Sequence, residues 1–262
     1  MGPVLKAENL GYSYNGGFAL ADVSFEISAG EFFGIAGPNG CGKTTLLKLL
    51  SGAIAPQSGK ILADGTGMAT ISPRRKAALL AFLPAEMSVP YDFTAREIAV
   101  MGRSPGLDWW ENYSQEDYDG ADGVLRLLGL EHAADKPVNA LSSGERRKVF
   151  IAQALCQRPK ILLLDEPTTH LDIRCQLQTF ELLKDFAASR GTAVVVVSHD
   201  IGLVARYCGR LLLLKDGRPA ALGTARETLA PANLRAVYGV EAETRADSEG
   251  GTHLLIKSPC KG

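Results

Sequence analysis

The sequence contains no long hydrophobic run, so we expect no membrane-spanning helix of its own. Its apolar segments are far shorter than the roughly 18 residues that a helix needs to cross a bilayer. The N-terminal stretch Met1–Lys6 also lacks the apolar character of a secretory signal peptide. Any role at a membrane is therefore expected to depend on a separate membrane protein.

Net charge and paired cysteines are scarce as well. The chain has 28 Lys and Arg residues against 29 Asp and Glu residues, a formal net charge of −1. Nucleic-acid-binding proteins usually carry a basic excess, so we expect no nucleic acid as a partner. The five cysteines are scattered without a C-x-x-C pair, which argues against a zinc site or a disulfide framework. The 262 residues, 46% of them hydrophobic, allow one large domain or two small ones.

One glycine-rich segment has the pattern of a phosphate-binding loop, G-x-x-x-x-G-K-[ST]. An apolar run, Phe32–Ala36, precedes it and a helix-forming run, Thr45–Leu50, follows it. Backbone N–H groups of such a loop, together with the helix N-terminus, bind phosphate. The fitting context on both sides disfavours a chance match. The predicted nucleotide-binding residues are Gly37, Pro38, Asn39, Gly40, Cys41, Gly42, Lys43, Thr44 and Thr45.

Several functional candidates follow the ends of predicted buried strands. Apolar runs at Ile161–Asp165 and Ala193–Val197 alternate with helical patterns, which predicts a parallel sheet covered on both faces. Ligands of such sheets bind at the carboxyl ends of the strands. Gly37, Asp165 and His199 all lie at or just past such ends, so we expect one site to contain all three.

The acidic pair Asp165 and Glu166, at the end of the first of these strands, has two expected roles. Asp165, with the Thr44 hydroxyl, is placed to ligate Mg²⁺. Glu166 is placed to act as a general base on the attacking water. His199 could donate a hydrogen bond to the γ-phosphate, while Lys43 reaches the β- and γ-phosphates. The alternatives are a strand end that is acidic by chance and a structural histidine.

Between residues 84 and 159 apolar residues recur at helical spacing, which predicts a helical insert. Ser142 and Glu145 have the spacing of a capping box at the start of one helix. The same helix N-terminus could instead bind an anion, and a second copy facing head to tail would supply that anion as its γ-phosphate. The loop with Trp109 and Trp110 is either a surface loop or a partner contact.

The two ends of the chain predict strands. Residues 3–10 and 18–28 are expected to form antiparallel strands around a loop at residues 11–17. Tyr14 in this loop could stack on a base, although a packed tyrosine is the simpler interpretation. The polar tail from Glu243 contains one predicted strand, Thr252–Lys257.

In this order the motifs resemble those of the ATP-binding subunit of an ABC transporter, over nearly the whole chain. The matching segments are Walker A at Gly37–Thr44, the signature motif at Leu141–Glu145, Walker B at Ile161–Asp165 with Glu166, the D-loop at His170–Asp172 and the switch residue His199. The resemblance implies that Tyr14 stacks on adenine. It also implies that a second copy's ATP is contacted by Ser142, Ser143, Gly144 and Glu145, with Asp172 in the D-loop.

The resemblance also implies the architecture. We expect an α/β fold: a P-loop NTPase core of the ABC ATPase type with a parallel sheet, an N-terminal antiparallel β subdomain and an inserted α-helical subdomain. Residues 1–262 would form a single ABC ATPase domain. Within it, 1–84 and 160–240 would be the catalytic core with the β subdomain, 85–159 the α-helical signature subdomain and 241–262 a C-terminal tail.

By the same resemblance, two copies close around two ATP molecules, with Mg²⁺, and reopen after hydrolysis to drive a membrane permease dimer. The chain would then be peripheral, on the cytoplasmic face of the inner membrane. Phe93–Glu97, Met101–Pro105 and Asp165–Asp172 are similar to segments of importers for iron–siderophore complexes, haem and cobalamin. Such importers receive their substrate from a separate substrate-binding protein.

Two residues depart from the family pattern. Where the family has a glutamine that ligates Mg²⁺ and relays the nucleotide state to the permease, this chain has Ala85, followed by Glu86. Glu86 is a candidate replacement ligand for Mg²⁺. Ser143 stands where the signature motif usually has glycine, and its side chain could crowd the phosphate or add a hydroxyl donor.

Two other functions remain open from the sequence. One is a soluble, ATP-gated clamp that acts on ribosomes or DNA. That class usually has two nucleotide domains per chain or long coiled-coil insertions, and this chain has neither. The other is a regulatory subunit that hydrolyses ATP poorly, which the missing glutamine favours and Glu166 with His199 disfavours.

Overall fold

A six-stranded sheet forms the centre of the molecule, and the other elements pack around it. The computed structural model describes residues 2–14, 19–87, 89–246 and 251–260. In chain order the strands are β1 (Leu5–Ser13), β2 (Ala19–Ile27), β3 (Phe32–Ala36), β4 (Ser58–Ala63), β5 (Thr66–Gly67), β6 (Leu80–Leu83), β7 (Ile161–Asp165), β8 (Ala193–Val197), β9 (Arg210–Lys215), β10 (Arg218–Thr224), β11 (Val240–Ala246) and β12 (Thr252–Pro259).

Helices connect these strands and cover them. They are α1 (Lys43–Leu50), α2 (Pro73–Leu79), α3 (Ala95–Val100), α4 (Gln115–Leu127), α5 (Ser143–Cys156), α6 (Ile173–Arg190), α7 (Ile201–Tyr207), α8 (Ala225–Thr228) and α9 (Pro231–Tyr238). Short 3₁₀ turns lie at Met68–Thr70, Met101–Gly106, Glu131–Ala133 and Val138–Ala140. In the part of the chain that the structure describes, no helix combines the length and apolarity needed to cross a membrane.

The central sheet has the strand order β10-β9-β3-β8-β7-β6. Strands β9, β3, β8, β7 and β6 run parallel, and β10 pairs antiparallel with β9. Every residue of β3, β7 and β8 is buried, because the strands are continuously apolar and both sheet faces are covered. The predicted α/β fold with a parallel sheet, antiparallel strands and helices is confirmed.

Successive side chains of β3, β7 and β8 pack alternately into two different hydrophobic cores. On one face, Phe32, Leu162 and Val194 pack in a cluster with apolar residues of α5, α6 and α7. On the other face, Phe33 and Leu163 pack with α1 and the N-terminal strands. The period-2 alternation of strand side chains therefore lets one sheet join both halves of the molecule.

The N-terminal sheet is antiparallel, with the order β2-β1-β4-β5. Strand β1 continues to Ser13, whereas we expected residues 3–10, because Tyr12 pairs with Leu20 and Ser13 with Ala19. The last three residues of the expected loop, 15–17, lie outside the described residues. At the other end the tail forms two strands rather than the one predicted, because β11 pairs antiparallel with β12.

Residues 95–156 are mostly helical, and three helices begin at the same local signal. The N-cap hydroxyls of Thr94, Ser114 and Ser142 each accept a hydrogen bond from the backbone N–H of the N3 residue, whose carboxylate accepts one in return. These are capping boxes, which satisfy N–H groups that a helix start leaves free. Helix α5, which carries the signature segment, is thus fixed at its first residue by the local sequence.

We predict that Phe180→Ala lowers the free energy of unfolding by about 3–5 kcal/mol. Phe180 is fully buried and packs edge-on against Phe32, with 6.0 Å between ring centroids, so its loss leaves a cavity between α6 and the sheet. Urea denaturation followed by circular dichroism measures the effect. Leu127→Ala is the control, because Leu127 is 72% exposed and should change stability by less than about 0.5 kcal/mol. Equal shifts in both variants would contradict the assigned core.

Candidate functional site

At the first residue of the loop after β3, only glycine fits the backbone conformation and the available space. Gly37 has φ +152°, and a Cβ atom there would lie 2.6 Å from the Cys41 sulfur and even closer to the Leu214 carbonyl oxygen. Gly42 has φ +102° and forms the N-cap of α1. These positions let the chain turn sharply from the sheet into the helix.

Helix α1 differs from α3, α4 and α5 because no side chain caps its N-terminus. Its first N–H groups are therefore available to an anion, and the helix dipole favours negative charge there. The Lys43 ammonium is folded along the loop, where it donates hydrogen bonds to the carbonyls of Gly37 (2.8 Å) and Pro38 (3.0 Å). The loop thus presents N–H donors and a buried cation at one end of the sheet.

Asp165 ends β7 as a buried carboxylate beside the Thr44 hydroxyl. Its residue is 1% exposed, and both carboxylate oxygens are buried without a hydrogen-bond partner. Burial raises the pKa of this carboxyl, while the neighbouring Thr44 hydroxyl and the charge of Arg147 oppose that shift. Orphaned buried acceptors are costly unless a cation satisfies them. The pair Asp165 and Thr44 therefore fits a Mg²⁺ ion.

Glu166 and His199 are brought together by the register of β7 and β8. Asp165 pairs with Val197, and the Glu166 N–H donates to the Val197 carbonyl at 2.9 Å. The Glu166 Oε2 and the His199 Nδ1 are hydrogen-bonded at 2.7 Å. Glu166 has φ +51°, a left-handed conformation that is unfavourable for a residue with a side chain. Such strain often accompanies functional sites.

The signature segment forms the expected capping box, and its first residues face solvent. Ser142 and Ser143 are exposed at the start of α5. The Glu145 carboxylate accepts hydrogen bonds from the N–H and hydroxyl of Ser142, and His132 lies 3.1 Å from its other oxygen. These hydrogen bonds lower the pKa of Glu145. A Cβ atom added to Gly144 would lie 3.1 Å from the Leu171 side chain and 3.3 Å from the His170 carbonyl oxygen, so within one chain the signature segment lies close to the D-loop.

The other predicted site residues occupy more peripheral positions. Tyr14 is 44% exposed and packs edge-on against Tyr12, with centroids 4.8 Å apart. Asp172 caps α6 by accepting a hydrogen bond from the Cys175 N–H at 2.8 Å, which lowers the pKa of its carboxyl. Glu86 is exposed and lines a cavity of about 580 Å³ whose lining includes Ser143 but neither Thr44 nor Asp165.

Arg147 is a site residue that sequence analysis missed. It lies on the buried face of α5, and its guanidinium donates hydrogen bonds to backbone carbonyls of Pro84, Ala85 and Glu166 at 2.7, 3.1 and 3.1 Å, and to that of Asp165. Arg147 lies two residues before Val149, so it falls on the opposite side of the helix from the predicted apolar face, and helical periodicity gives no signal for it.

Within the described ranges, no group of three or more His, Cys, Asp or Glu side chains could hold a metal ion. This result does not conflict with Mg²⁺ at Asp165. Magnesium keeps several waters and usually binds through one or two carboxylates together with substrate phosphates.

We predict that Asp165→Asn raises the melting temperature of the nucleotide-free protein by about 2–4 °C at pH 7, because it removes an unsatisfied buried charge. Folding raises the pKa of this carboxyl, so its charge destabilises the fold increasingly as the pH rises above 3.8. The gain should therefore shrink as the pH falls towards 3.8. Calorimetry across this pH range measures it.

Asp64→Asn is the matched control for this prediction. Asp64 forms an exposed ion pair with Lys160 at 2.9 Å, and its loss should change stability by less than about 0.5 kcal/mol. A lower melting temperature for Asp165→Asn at pH 7 would show that the carboxylate is stabilised in the free protein.

Comparison with known proteins identifies the family. The ABC transporter family model matches residues 20–169. The hemin import ATP-binding protein HmuV of Pseudomonas fluorescens is 38% identical over 258 residues, which cover 97% of this chain and 99% of that protein. The cobalamin import ATP-binding protein BtuD of Halobacterium salinarum is 36% identical over 240 residues, covering 92% of this chain and 60% of that protein.

A solved structure agrees with these relatives. It is an inward-facing conformation of an ABC transporter provisionally assigned to the metal-chelate type. It superposes with a TM-score of 0.83 at 31% identity, covering 97% of this chain and 98% of that one. The chain therefore belongs to the ABC transporter family, as one of its ATPases.

Proposed function

We propose that this chain binds and hydrolyses ATP to energise the import of a metal chelate, of the haem, cobalamin or iron–siderophore class, through a separate membrane permease. The observation that carries the chemistry is the convergence of the phosphate loop, Asp165, Glu166 and His199 at the carboxyl ends of β3, β7 and β8. The similarity to hemin and cobalamin import proteins over more than 90% of the chain supports the import role.

In this proposal the phosphate loop binds the triphosphate. The free N–H groups at the start of α1 bind its oxygens, and Lys43 leaves the carbonyls of Gly37 and Pro38 to reach the β- and γ-phosphates. Thr44 and Asp165 would hold Mg²⁺, which neutralises charge that develops on the phosphate oxygens. Tyr14, which is partly exposed, is the candidate for stacking on the adenine base.

The hydrolytic step is assigned to Glu166. Glu166 follows the Mg²⁺ candidate Asp165 by one residue, and its carboxylate is hydrogen-bonded to His199. Glu166 would accept a proton from the attacking water while His199 orients the carboxylate and contacts the γ-phosphate. Glu86 stays a candidate Mg²⁺ ligand, although the cavity that it lines is formed with Ser143 rather than with Asp165.

A second copy of the chain would complete the site. Ser142 and Ser143 begin a helix of 14 residues, and their exposed position suits contact with an anion from outside the chain. In a head-to-tail dimer these residues, with Gly144 and Glu145, would contact the partner's ATP. Asp172 would lie in the D-loop near the same interface. The dimer would bind a permease dimer at the cytoplasmic face of the membrane, and a substrate-binding protein would deliver the cargo.

We predict that Glu166→Gln retains ATP binding, lowers hydrolysis by roughly 100-fold or more and traps an ATP-bound dimer, because the amide cannot accept the proton. A phosphate-release assay and light scattering after size-exclusion chromatography measure turnover and dimer mass. Glu116→Gln is the control, because Glu116 is an exposed glutamate in the first turn of α4. Turnover at the parent rate in Glu166→Gln would contradict the general-base assignment.

The import role predicts a membrane partner. A tagged chain purified from detergent-solubilised native membranes should recover a polytopic permease in similar amounts for the parent and for Glu166→Gln. The reconstituted complex should then show ATP-dependent uptake of haem or of another metal chelate. Recovery of ribosomes or DNA, or of no membrane protein, from a chain that hydrolyses ATP would instead favour the soluble clamp.

A further inference from the structure

The Arg147 side chain connects three parts of the molecule. It projects from α5 and is 7% exposed. One terminal nitrogen, Nη1, donates to the carbonyls of Pro84 and Ala85 at 2.7 and 3.1 Å. The other, Nη2, donates to the carbonyl of Glu166 at 3.1 Å and to that of Asp165. The planar guanidinium thus holds two pairs of carbonyls with its two terminal nitrogens.

The two carbonyl pairs lie where two neighbouring strands end. Pro84 and Ala85 follow β6 directly, at the point where the chain leaves the sheet for the helical region. Asp165 is the last residue of β7, which pairs with β6. A single side chain from the helix that begins with the signature segment therefore contacts the backbone at the ends of both β6 and β7.

The Arg147 guanidinium is a cation at a buried position, where the loss of contact with water disfavours its charged form. Among the described residues, the ion pairs within 4.0 Å do not include Arg147, and its Nε is buried without a hydrogen-bond partner. A buried guanidinium that forms no direct ion pair is unfavourable unless other acceptors satisfy it. Here the acceptors are backbone carbonyls, so the position of α5 and the positions of these carbonyls are linked through strong, charge-assisted bonds.

Glu166 is the residue for which this link matters most. Its left-handed backbone conformation costs free energy, so contacts with the surrounding structure must hold Glu166 in this orientation. Three hydrogen bonds hold the backbone: its N–H donates to Val197 at 2.9 Å, and its carbonyl accepts from Arg147 at 3.1 Å and from the Thr169 N–H at 3.3 Å. The first bond comes from the sheet and the third from the turn that follows Glu166, so the bond from Arg147 is the one that ties this backbone to α5.

The hinge, residues 84–85, where the chain leaves β6 for the helical region, cannot form this link to α5 through its own side chains. Ala85 has no polar side chain, and its contact with α5 is made by its carbonyl. Because Arg147 binds the backbone carbonyls of the hinge, this contact does not depend on which side chains the hinge residues carry. The connection between the hinge and the end of β7 is thus provided from α5.

We infer that Arg147 is a positioning residue that couples the placement of α5 and of the hinge at residues 84–85 to the orientation of Glu166. A displacement of α5 relative to the sheet moves the Glu166 carbonyl and with it the carboxylate. Hydrolysis then proceeds at full rate when the signature helix is in place. This inference rests on the role proposed above for Glu166.

The test compares Arg147→Gln and Arg147→Lys with the parent in steady-state ATPase assays. Arg147→Gln should lower kcat at least 10-fold and leave the KM for MgATP within threefold, because the phosphate loop is untouched. Arg147→Lys keeps the charge, but its single ammonium cannot span both carbonyl pairs, so its kcat should be more than twofold below that of the parent but above that of Arg147→Gln. Circular dichroism establishes that each variant is folded.

Arg103→Gln is the matched control. Arg103 is also partly buried and donates to the Cys156 carbonyl near the other end of α5 at 3.2 Å, but its contacts stay within the helical region. It should lower the melting temperature while keeping kcat within twofold of the parent. A comparable loss of kcat in Arg103→Gln would reduce Arg147 to a general contribution to stability and overturn the inference.

Two further results would also overturn it. One is a kcat within twofold of the parent in either folded Arg147 variant. The other is a KM that rises in proportion to the fall in kcat. If Arg147→Gln does not fold, Arg147→Lys decides the question by the same criteria. Glu166→Gln, assayed in parallel, tests the proposed function separately: its full activity would refute the role of Glu166 whatever the Arg147 variants show.

Discussion

The register of three parallel strands is the constraint on which the rest of the site depends. Strand β8 lies between β3 and β7, and their residues pair in phase, so their carboxyl ends meet at one edge of the sheet. The phosphate loop, Asp165 and His199 are distant in the sequence and converge because of this pairing alone. Backbone hydrogen bonding and the two apolar cores fix the register, since a slip by one residue would turn each buried side chain to the opposite face.

The site concentrates features that are individually unfavourable. A carboxylate is buried at Asp165, Glu166 adopts a left-handed backbone, and a guanidinium is buried at Arg147. Each would be removed by selection for stability alone. The two cores that cover the central sheet offset them. This pattern is expected of a site that binds a highly charged nucleotide and its metal ion, because preorganised charges act most strongly where water is excluded.

Helix α5 gives the site a connection to the remainder of the molecule. Its N-terminus carries the signature segment, which faces solvent, while its buried side reaches the ends of β6 and β7 through Arg147. One rigid helix therefore contacts both the surface proposed to meet a second copy and the backbone of the residue proposed to act on water. Because a helix moves as a unit, events at its exposed end can reach the sheet without a change in the sheet itself.

The local elements can be predicted from the sequence alone: the phosphate loop, the buried strands, the capping box at Ser142 and the order of the motifs. These are set by short-range patterns, namely side-chain periodicity, glycine placement and hydrogen bonds between residues three apart. Tertiary contacts were needed to show that β1 extends to Ser13, that β11 pairs with β12, and that Arg147 reaches Pro84, 63 residues earlier in the chain. Such contacts depend on how separate elements pack, and the type of a single residue does not predict which distant residues it contacts.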